Sequence, residues 1–212
     1  MEIDVVRTGP LSVNTLIVSL ENGNVFVVDP ADCAFSGDEG VVVSRVREKN
    51  KTVSAVILTH GHFDHVSGLP ALLRAFPSAK VLIHKNDASL IGKNSALSQK
   101  RHLEAIGFLD FLPFVSSLPE ATDFLEDEKE LEVEKSWRVL FTPGHTQGSV
   151  CLWNEREGVL ISGDTLFDGS YGRTDLPGGD EVEIHKSLSR LLKTVPRSTL
   201  VYSGHDFRPF RT

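Results

Sequence analysis

The chain has 212 residues and a net charge of −7, and its apolar and charged fractions are ordinary for a globular protein. No apolar stretch approaches the roughly 18 residues that a membrane helix needs, and the acidic start at residues 1–4 is unlike a signal peptide. The negative charge disfavours nucleic acid as a partner. We therefore expect one cytoplasmic domain over residues 1–212, monomeric or homodimeric, with neither a nucleic acid nor a membrane as partner.

The first half of the chain predicts strands that alternate with helices. Apolar, β-branched runs predict four strands, over residues 13–20, 25–28, 53–59 and 80–84. A turn sequence at 21–24 joins the first two strands as a hairpin. Asp38 is placed to cap a helix that runs to about Asn50, and a second helix is expected from about Ser67 to the residue before Pro77.

Residues 87–119 show no clear periodicity, because helical stretches are interrupted by residues such as Gly92 and Pro113. We expect a mobile, partly helical insert. Its apolar residues either line the substrate cleft or pack on the core or at a dimer interface. If they line the cleft, replacing Phe111 or Phe114 by alanine changes KM more than it changes the melting temperature.

The second half predicts further strands and one long helix. The strands are expected over residues 137–141, 149–153, 159–161 and 199–203. The acidic segment 124–133 predicts a hairpin exposed on one face. Asp180 and Glu183 form a capping box for a helix that continues to about Val195. Two β-rich halves, each with helices, predict two packed sheets with the helices outside, an α/β architecture.

Four side chains of the kind that bind metals lie within six positions, directly after the predicted strand 53–59. They are His60, His62, Asp64 and His65. A lone histidine would be an ordinary structural residue, but so many titratable groups beside an apolar strand are costly without a metal or partner charges. Imidazole and carboxylate together suit zinc, iron or manganese. The motif therefore predicts a metal site at this strand end.

Three further residues of this kind each follow a strand and a glycine. They are His145, Asp164 and His205. Each alone would be an ordinary turn residue, but together they repeat the pattern of the first motif. Seven ligands exceed what one tetrahedral metal can use. The sequence therefore predicts two metal ions, with zinc as the first choice and iron or manganese as alternatives.

The order of these residues resembles the metallo-β-lactamase superfamily, and the resemblance extends from about residue 13 to 206. It implies a four-layer αββα sandwich with the site along one edge of the two sheets. It implies a first metal held by His60, His62 and His145. It implies a second metal held by Asp64, His65 and His205.

The resemblance also assigns roles to two other carboxylates. Asp164 would bridge the metals, and it is a candidate catalytic residue together with Asp64. Asp29, at the end of the strand 25–28, would support a ligand through hydrogen bonds rather than bind a metal.

The segment 163–175 resembles the short glyoxalase II-like proteins, which hydrolyse thioesters such as hydroxyacylglutathione. This resemblance implies a small-molecule thioester as the substrate and a hydroxide shared by the two metals as the nucleophile. Tyr171 and Arg173 are then candidate substrate contacts. For Arg173, a salt bridge to Asp175 or another carboxylate is an equally good expectation.

Two alternatives remain open. Residues 172–175 are also similar to persulfide dioxygenases, which use one iron, although those have a cysteine where this chain has Tyr171. Mononuclear-iron persulfide oxidation is therefore the alternative activity. A non-catalytic metal-binding scaffold or sensor is the alternative outside the enzymes, and the complete ligand set argues against it.

Overall fold

Two six-stranded sheets form the centre of the computed structural model, which describes all residues from 1 to 212. The first sheet contains, in spatial order, β1 (Ile3–Thr8), β2 (Val13–Ser19), β3 (Val25–Val28), β4 (Val53–Ile57), β5 (Lys80–His84) and β6 (Asp123–Leu125). The second contains β7 (Glu130–Leu131), β8 (Glu134–Phe141), β9 (Val150–Asn154), β10 (Val159–Gly163), β11 (Leu200–Ser203) and β12 (Phe210–Arg211). The strands expected from the sequence are confirmed, whereas β1 and β12 were not expected.

Six α-helices cover the outer faces of the sheets. They are α1 (Val41–Glu48), α2 (Phe63–Val66), α3 (Leu69–Ala75), α4 (Ser95–Ala105), α5 (Leu112–Val115) and α6 (Glu181–Thr194). None of these helices combines the length and the apolar character needed to cross a membrane.

Three apolar clusters define the layers. Alternate residues of β2 show why, because Ile17 packs toward the helices while Leu16 and Val18 pack toward the second sheet. The first cluster joins α1, α3, α4 and α5 to the first sheet, and the second lies between the sheets. The third packs α6, through Leu191, on the outer face of the second sheet. The result is the expected four-layer αββα sandwich.

Parallel pairing places the carboxyl ends of the ligand-bearing strands at one edge. Strands β3 to β6 pair in parallel, and β10 pairs in parallel with β11. The loops that follow these strands therefore leave from the same edge of each sheet. The two edges are joined where Val150 donates its backbone N–H to the carbonyl of Thr59, at 2.9 Å.

The segment 124–133 does not form the expected hairpin. Strand β6 pairs with β5 in the first sheet, whereas β7 pairs with β8 in the second. The segment thus crosses from one sheet to the other. Its two buried residues, Leu125 and Leu131, both pack into the core between the sheets, which explains the crossing.

Helix α1 is not capped by Asp38, contrary to the expectation. The Asp38 carboxylate accepts hydrogen bonds from the backbone N–H of Gly9 at 2.7 Å and of Cys33 at 2.9 Å. Instead, Asp32 lies at the start of the helix, and its Oδ2 accepts from the N–H of Gly40 at 2.8 Å. The acceptor for the first turn therefore comes from a preceding loop.

The segment 87–119 packs on the core of the protein. It contains α4, α5 and short 3-10 turns at Lys85–Leu90, Gly92–Asn94 and Leu109–Phe111. Leu103, Phe111 and Val115 are fully buried against the first sheet and its helices. Phe111 therefore cannot line a substrate cleft, and the expectation of packing on the core is confirmed for Phe111 and for Phe114, which is partly buried against the same cluster.

We expect Asp32 to make the stability of the protein depend on pH. Burial raises the pKa of Asp32 from 3.8 to about 6, although the N–H groups of Gly40 and Val42 oppose the shift. The folded state therefore binds this proton more tightly than the unfolded chain, so Asp32 adds stability as the pH falls through 6. Relative to Asp32→Asn, wild-type protein should gain about 1 kcal/mol of unfolding free energy between about pH 7.5 and about pH 5.

The measurement is urea unfolding of both proteins with a chelator present, so that metal loss does not contribute. A difference between the two proteins that stays constant with pH would contradict the assignment.

Candidate metal centre

Seven side chains meet at the carboxyl-end edge of both sheets. They are the residues expected from the sequence, His60, His62, Asp64, His65, His145, Asp164 and His205. All except His205 are buried. The His205 side chain is 28% exposed, so solvent reaches the centre from its side.

The loop after β4 carries four of these residues in a short space. His62 precedes the single turn of α2, and that turn presents Asp64 and His65. Gly61 packs against the turn Lys85–Leu90, where a Cβ atom would lie 2.6 Å from the Cβ of Leu90. Only glycine permits this approach, which fixes the direction of the histidines on either side.

Three histidines, which we call the histidine group, lie together in the first half of the centre. They are His60, His62 and His145, and each offers one nitrogen within 4.8 Å of the others. His62 Nδ1 and His145 Nε2 are 2.9 Å apart. A distance this short brings two ligand atoms into position around one small volume.

Three residues, which we call the mixed group, form the second half. They are Asp64, His65 and His205. The Nε2 atoms of His65 and His205 are 3.3 Å apart, and Asp64 Oδ2 lies 3.5 Å from His205 Nε2. One carboxylate and two imidazoles thus face each other.

Asp164 lies between the two groups. Its Oδ1 is 3.5 Å from His65 Nε2, and its Oδ2 is 3.6 Å from His145 Nε2. The same Oδ2 is 3.4 Å from His205 Nε2. Of the two carboxylates among the seven residues, Asp164 is therefore the one that lies within 4 Å of both groups.

Buried polar atoms without partners indicate that metal ions fit this arrangement. Three such atoms occur here, His60 Nε2, His62 Nε2 and Asp164 Oδ1. A buried polar atom left unpaired is costly in a folded protein. A divalent cation would supply the missing partner, and the nitrogen and oxygen donors suit zinc, iron or manganese.

The electrostatics of the histidine group agree with this fit. Burial, together with the neighbouring histidines, holds the pKa of His60 and the pKa of His62 well below the ordinary value. Both imidazoles are therefore neutral near pH 7, which is the form that binds a metal.

The mixed group instead favours positive charge. Burial by itself would lower the pKa of His65, but the carboxylates of Asp164 and Asp64 outweigh it and raise that pKa well above the ordinary value. The same carboxylates raise the pKa of His205 to about 9, against the effect of burial. Burial would raise the pKa of Asp164, but His65 and His205 hold it well below its usual range. The carboxylates thus stabilise a cation here.

Asp29 supports the mixed group from behind, as the resemblance implies. Its Oδ2 lies 2.9 Å from His65 Nδ1 and accepts from the Thr59 hydroxyl at 2.6 Å, while its Oδ1 accepts from the Thr59 N–H at 2.8 Å. Asp29 and His65 also lie within 4.8 Å of His60. Both oxygens of Asp29 are already engaged by hydrogen bonds, an arrangement that accords with the expected orientation of His65.

A family model for the metallo-beta-lactamase superfamily matches residues 8–205 of the chain. The chain belongs to the metallo-β-lactamase superfamily. The probable metallo-hydrolase YqgX of Bacillus subtilis is 33% identical and covers 93% of this chain and 86% of its own length. The hydroxyacylglutathione hydrolase of Tolumonas auensis is 29% identical over 95% of this chain, which spans 65% of that enzyme.

Two solved structures are similar over nearly the whole chain. The di-iron-bound form of TTHA1623 has a TM-score of 0.81 at 30% identity, and the match covers 98% of this chain and 94% of that one. ETHE1 from Myxococcus xanthus has a TM-score of 0.74 at 25% identity, and the match covers all of this chain and 80% of that one. Membership in this superfamily of metallo-hydrolases accords with metal binding at the seven residues.

Arg173 approaches the centre with its backbone and not with its guanidinium. Its Nε and Nη2 donate to the two carboxylate oxygens of Asp175 at 2.7 and 2.8 Å, so the salt bridge expected as an alternative is present. The carbonyl of Arg173 lies 2.7 Å from His145 Nδ1. The neighbouring Tyr171 is exposed, and its hydroxyl is 3.5 Å from His185 Nε2.

Sequence reasoning missed two polar residues that hold the ligand loops. Asp87 is buried and accepts hydrogen bonds from the loops of His60 and His145. Asn14 is buried and donates hydrogen bonds to the loop of His205. Asp87 follows β5 much as the histidine motif follows β4, so the pattern of polar residues after strands extends to it. For Asn14, within β2, nothing in its local sequence indicates the contact.

Proposed function

We propose that this chain is a hydrolase with two divalent metal ions that cleaves small-molecule thioesters, as glyoxalase II-like enzymes do. The observation that carries the proposal is the complete set of seven ligands, with Asp164 shared between the histidine group and the mixed group. Zinc is our first choice of metal, with iron or manganese as alternatives.

Each half of the centre would hold one metal ion. The first ion would be held by His60, His62 and His145. The second would be held by Asp64, His65 and His205. Asp164 would contact both ions, since its oxygens face both groups. When bound, divalent ions lower the pKa of water from about 15.7 toward 7 and polarise carbonyl oxygens as Lewis acids.

Hydrogen bonds behind the ligands prepare them for this role. The carbonyl of Arg173 accepts from His145 Nδ1, which leaves the lone pair of His145 Nε2 facing His62 and the centre. Asp29 holds His65 in the same way. The fixed ring orientations reduce the reorganisation needed when a metal binds.

Asp64 and Asp164 are the candidate catalytic carboxylates. Asp164 Oδ1 has no hydrogen-bond partner and the pKa of Asp164 lies well below its usual range, so this carboxylate would serve as a metal ligand and not as a proton acceptor. His205 is the one member of the seven that is not buried, so the substrate would enter from its side. Tyr171 is exposed and directly precedes Gly172, which lies against His145, so Tyr171 can contact the substrate, whereas the guanidinium of Arg173 must first leave Asp175.

Thioester hydrolysis is favoured by the residues of the loop 163–175 and by the similarity to hydroxyacylglutathione hydrolase. The similarity to ETHE1 supports persulfide oxidation as a second candidate. That activity would need only one iron, so it would not require the second metal site that the mixed group forms. Tyr171 also stands where persulfide dioxygenases have a cysteine.

The test is to load the protein separately with Zn²⁺ and with Fe²⁺ and to measure two reactions. Thiol release from S-lactoylglutathione reports hydrolysis, and oxygen uptake with glutathione persulfide reports oxidation. We expect the zinc form to release thiol, because hydrolysis needs no redox-active metal. His62→Ala, which lacks a ligand of the histidine group, serves as the inactive control.

Two results would overturn the proposal in different ways. Oxygen uptake by the iron form, with no thiol release from either form, would establish the persulfide reaction. Firm metal binding without turnover of either substrate would support a scaffold or sensor.

A further inference from the structure

We infer that two separate buried residues position the two halves of the metal centre: Asp87 holds the histidine group, and Asn14 holds His205 of the mixed group. The inference rests on the proposed pair of metal ions but not on the proposed substrate. It predicts that each half can be weakened without the other.

Asp87 joins the two loops that carry the histidine group. Its side chain is buried, with 1% of the residue exposed. Oδ2 accepts from the backbone N–H of Gly61 at 2.9 Å and from the Thr146 hydroxyl at 2.7 Å, and Oδ1 accepts from the N–H of Gly148 at 2.7 Å. Gly61 separates His60 from His62, and Thr146 directly follows His145. One carboxylate therefore fixes the spacing between the loops.

The chemistry of this contact makes it hard to replace. A buried carboxylate is tolerated only when hydrogen bonds satisfy it, and here all three donors come from the ligand loops. Gly148 allows the approach, since a Cβ atom at that position would lie 2.6 Å from Asp87 Oδ1. Removing the charge would leave donors of both loops without a full partner.

Asn14 fixes the loop of His205 from the opposite sheet. It lies in β2, with 9% of the residue exposed, and its Nδ2 donates to the carbonyls of Ser203 at 3.0 Å and of Asp206 at 2.7 Å. Its backbone N–H donates to the carbonyl of Gly204 at 2.7 Å. The three carbonyls lie on both sides of His205 in the chain.

The same loop is tied to the segment that follows Asp164. Asp206 Oδ2 accepts from the Ser203 hydroxyl at 2.8 Å and from the N–H of Asp168 at 2.9 Å. The hydrogen bonds of Asn14 and Asp206 therefore secure the second half of the centre. None of the side-chain hydrogen bonds of Asn14 reaches the loops that Asp87 holds.

The two residues permit a reciprocal experiment. Asp87→Asn turns an amide donor toward groups that are themselves donors, and Asn14→Asp turns an acceptor toward two carbonyls, while both substitutions keep the side-chain shape. Stepwise Zn²⁺ affinities are measured against a competing chelator. Co²⁺ absorption spectra identify which half is affected, with His145→Ala and His205→Ala as the references for losing each half.

We expect Asp87→Asn to weaken the ion of the histidine group about 10- to 100-fold and to shift the Co²⁺ spectrum toward that of His145→Ala. Asn14→Asp should weaken the other ion by a similar factor and resemble His205→Ala. If either substitution prevents folding, Thr146→Val removes the hydrogen bonds of its hydroxyl to Asp87 and Ser149, and Ser203→Ala removes the two hydrogen bonds between its hydroxyl and Asp206. They should then show smaller effects on the same ions.

Matched controls separate positioning from general loss of stability. Asp32→Asn and Asn154→Asp alter buried residues whose side chains make no hydrogen bond to a ligand or its loop: Asp32 accepts from the N–H groups of Gly40 and Val42, and Asn154 bonds to the Ser136 hydroxyl and the N–H of Glu157. They should change the melting temperature and leave both metal affinities unchanged. Equal weakening of both ions by Asp87→Asn or by Asn14→Asp, or by a control, would overturn the inference.

Failure of this inference can be distinguished from failure of the proposed function. If wild-type protein binds a single ion, the pair of metals is wrong. Asp87→Asn must then still weaken an ion held by the histidine group, while Asn14→Asp leaves it unchanged; any other result overturns the inference as well. If two ions bind but no thioester is cleaved, the proposed substrate fails and the inference is unaffected.

Discussion

Asp164→Asn should weaken the binding of both metal ions, each by more than about 100-fold, a larger loss than is typical for residues that only support a ligand. The reason is its place between the two groups, with Oδ1 3.5 Å from His65 Nε2 and Oδ2 3.6 Å from His145 Nε2. Asparagine keeps the shape but removes the negative charge. It also places an amide N–H group near histidine nitrogens that must bind cations. Hydrolytic activity should fall with the metal content.

His205→Ala is the matched comparison, because His205 belongs only to the mixed group. It should lose one ion and keep the other. Elemental analysis after saturation with Zn²⁺ and removal of free metal should give close to two ions per chain for wild-type protein. Equal losses in the two variants would mean that Asp164 does not serve both ions, and a single firmly bound ion in wild-type protein would contradict the binuclear centre.

The meeting of the seven candidate ligands could be predicted because these residues follow a local pattern. His60, His145, Asp164 and His205 each come shortly after a strand ends, and apolar runs identify those strands in the sequence. Parallel pairing then collects the strand ends at one edge. The division into two groups and the supporting role of Asp29 came from the family resemblance, since spacing alone does not reveal which nitrogens face each other.

The segment 124–133 shows where local patterns fail. Its acidic residues and short apolar runs fit a hairpin, but a hairpin requires that both strands lie in one sheet. Leu125 and Leu131 instead fill the space between the sheets from opposite sides. The choice of sheet depends on packing across the whole core, which no window of this sequence contains.

Asp87 and Asn14 were missed for a similar reason. The partners of Asp87 lie 26 to 61 positions away in the chain, and the side-chain partners of Asn14 lie more than 180 positions away. Their importance comes from these distant loops and not from their own neighbours. The start of α1 is a second, smaller example. Asp38 has the position in the sequence that is expected of a helix cap, but the Asp32 carboxylate accepts the hydrogen bond from the N–H of Gly40.

Phe111→Ala should lower the unfolding free energy by about 3–5 kcal/mol, because it opens a cavity in the core. Phe111 is fully buried, and its ring packs edge-on against Phe63 at 5.3 Å and Phe35 at 5.2 Å between centroids. Phe63 itself lies between His62 and Asp64 in the chain, so this aromatic cluster packs against the loop that carries these two residues. The structure therefore predicts a loss of stability in place of the change in KM that a cleft residue would give.

The comparison for Phe111→Ala is Phe124→Ala, in which the same atoms are removed from a residue that is 51% exposed on β6. Its effect should stay within about 0.5 kcal/mol, since little apolar surface is lost from the core. Urea unfolding of the metal-free proteins measures both values, and thioester kinetics of the zinc-loaded proteins measure KM. A change in KM for Phe111→Ala with stability close to that of Phe124→Ala would mean that residues 87–119 open onto the substrate. Loss of stability with KM unchanged would place Phe111 in the support of the fold, as its burial indicates.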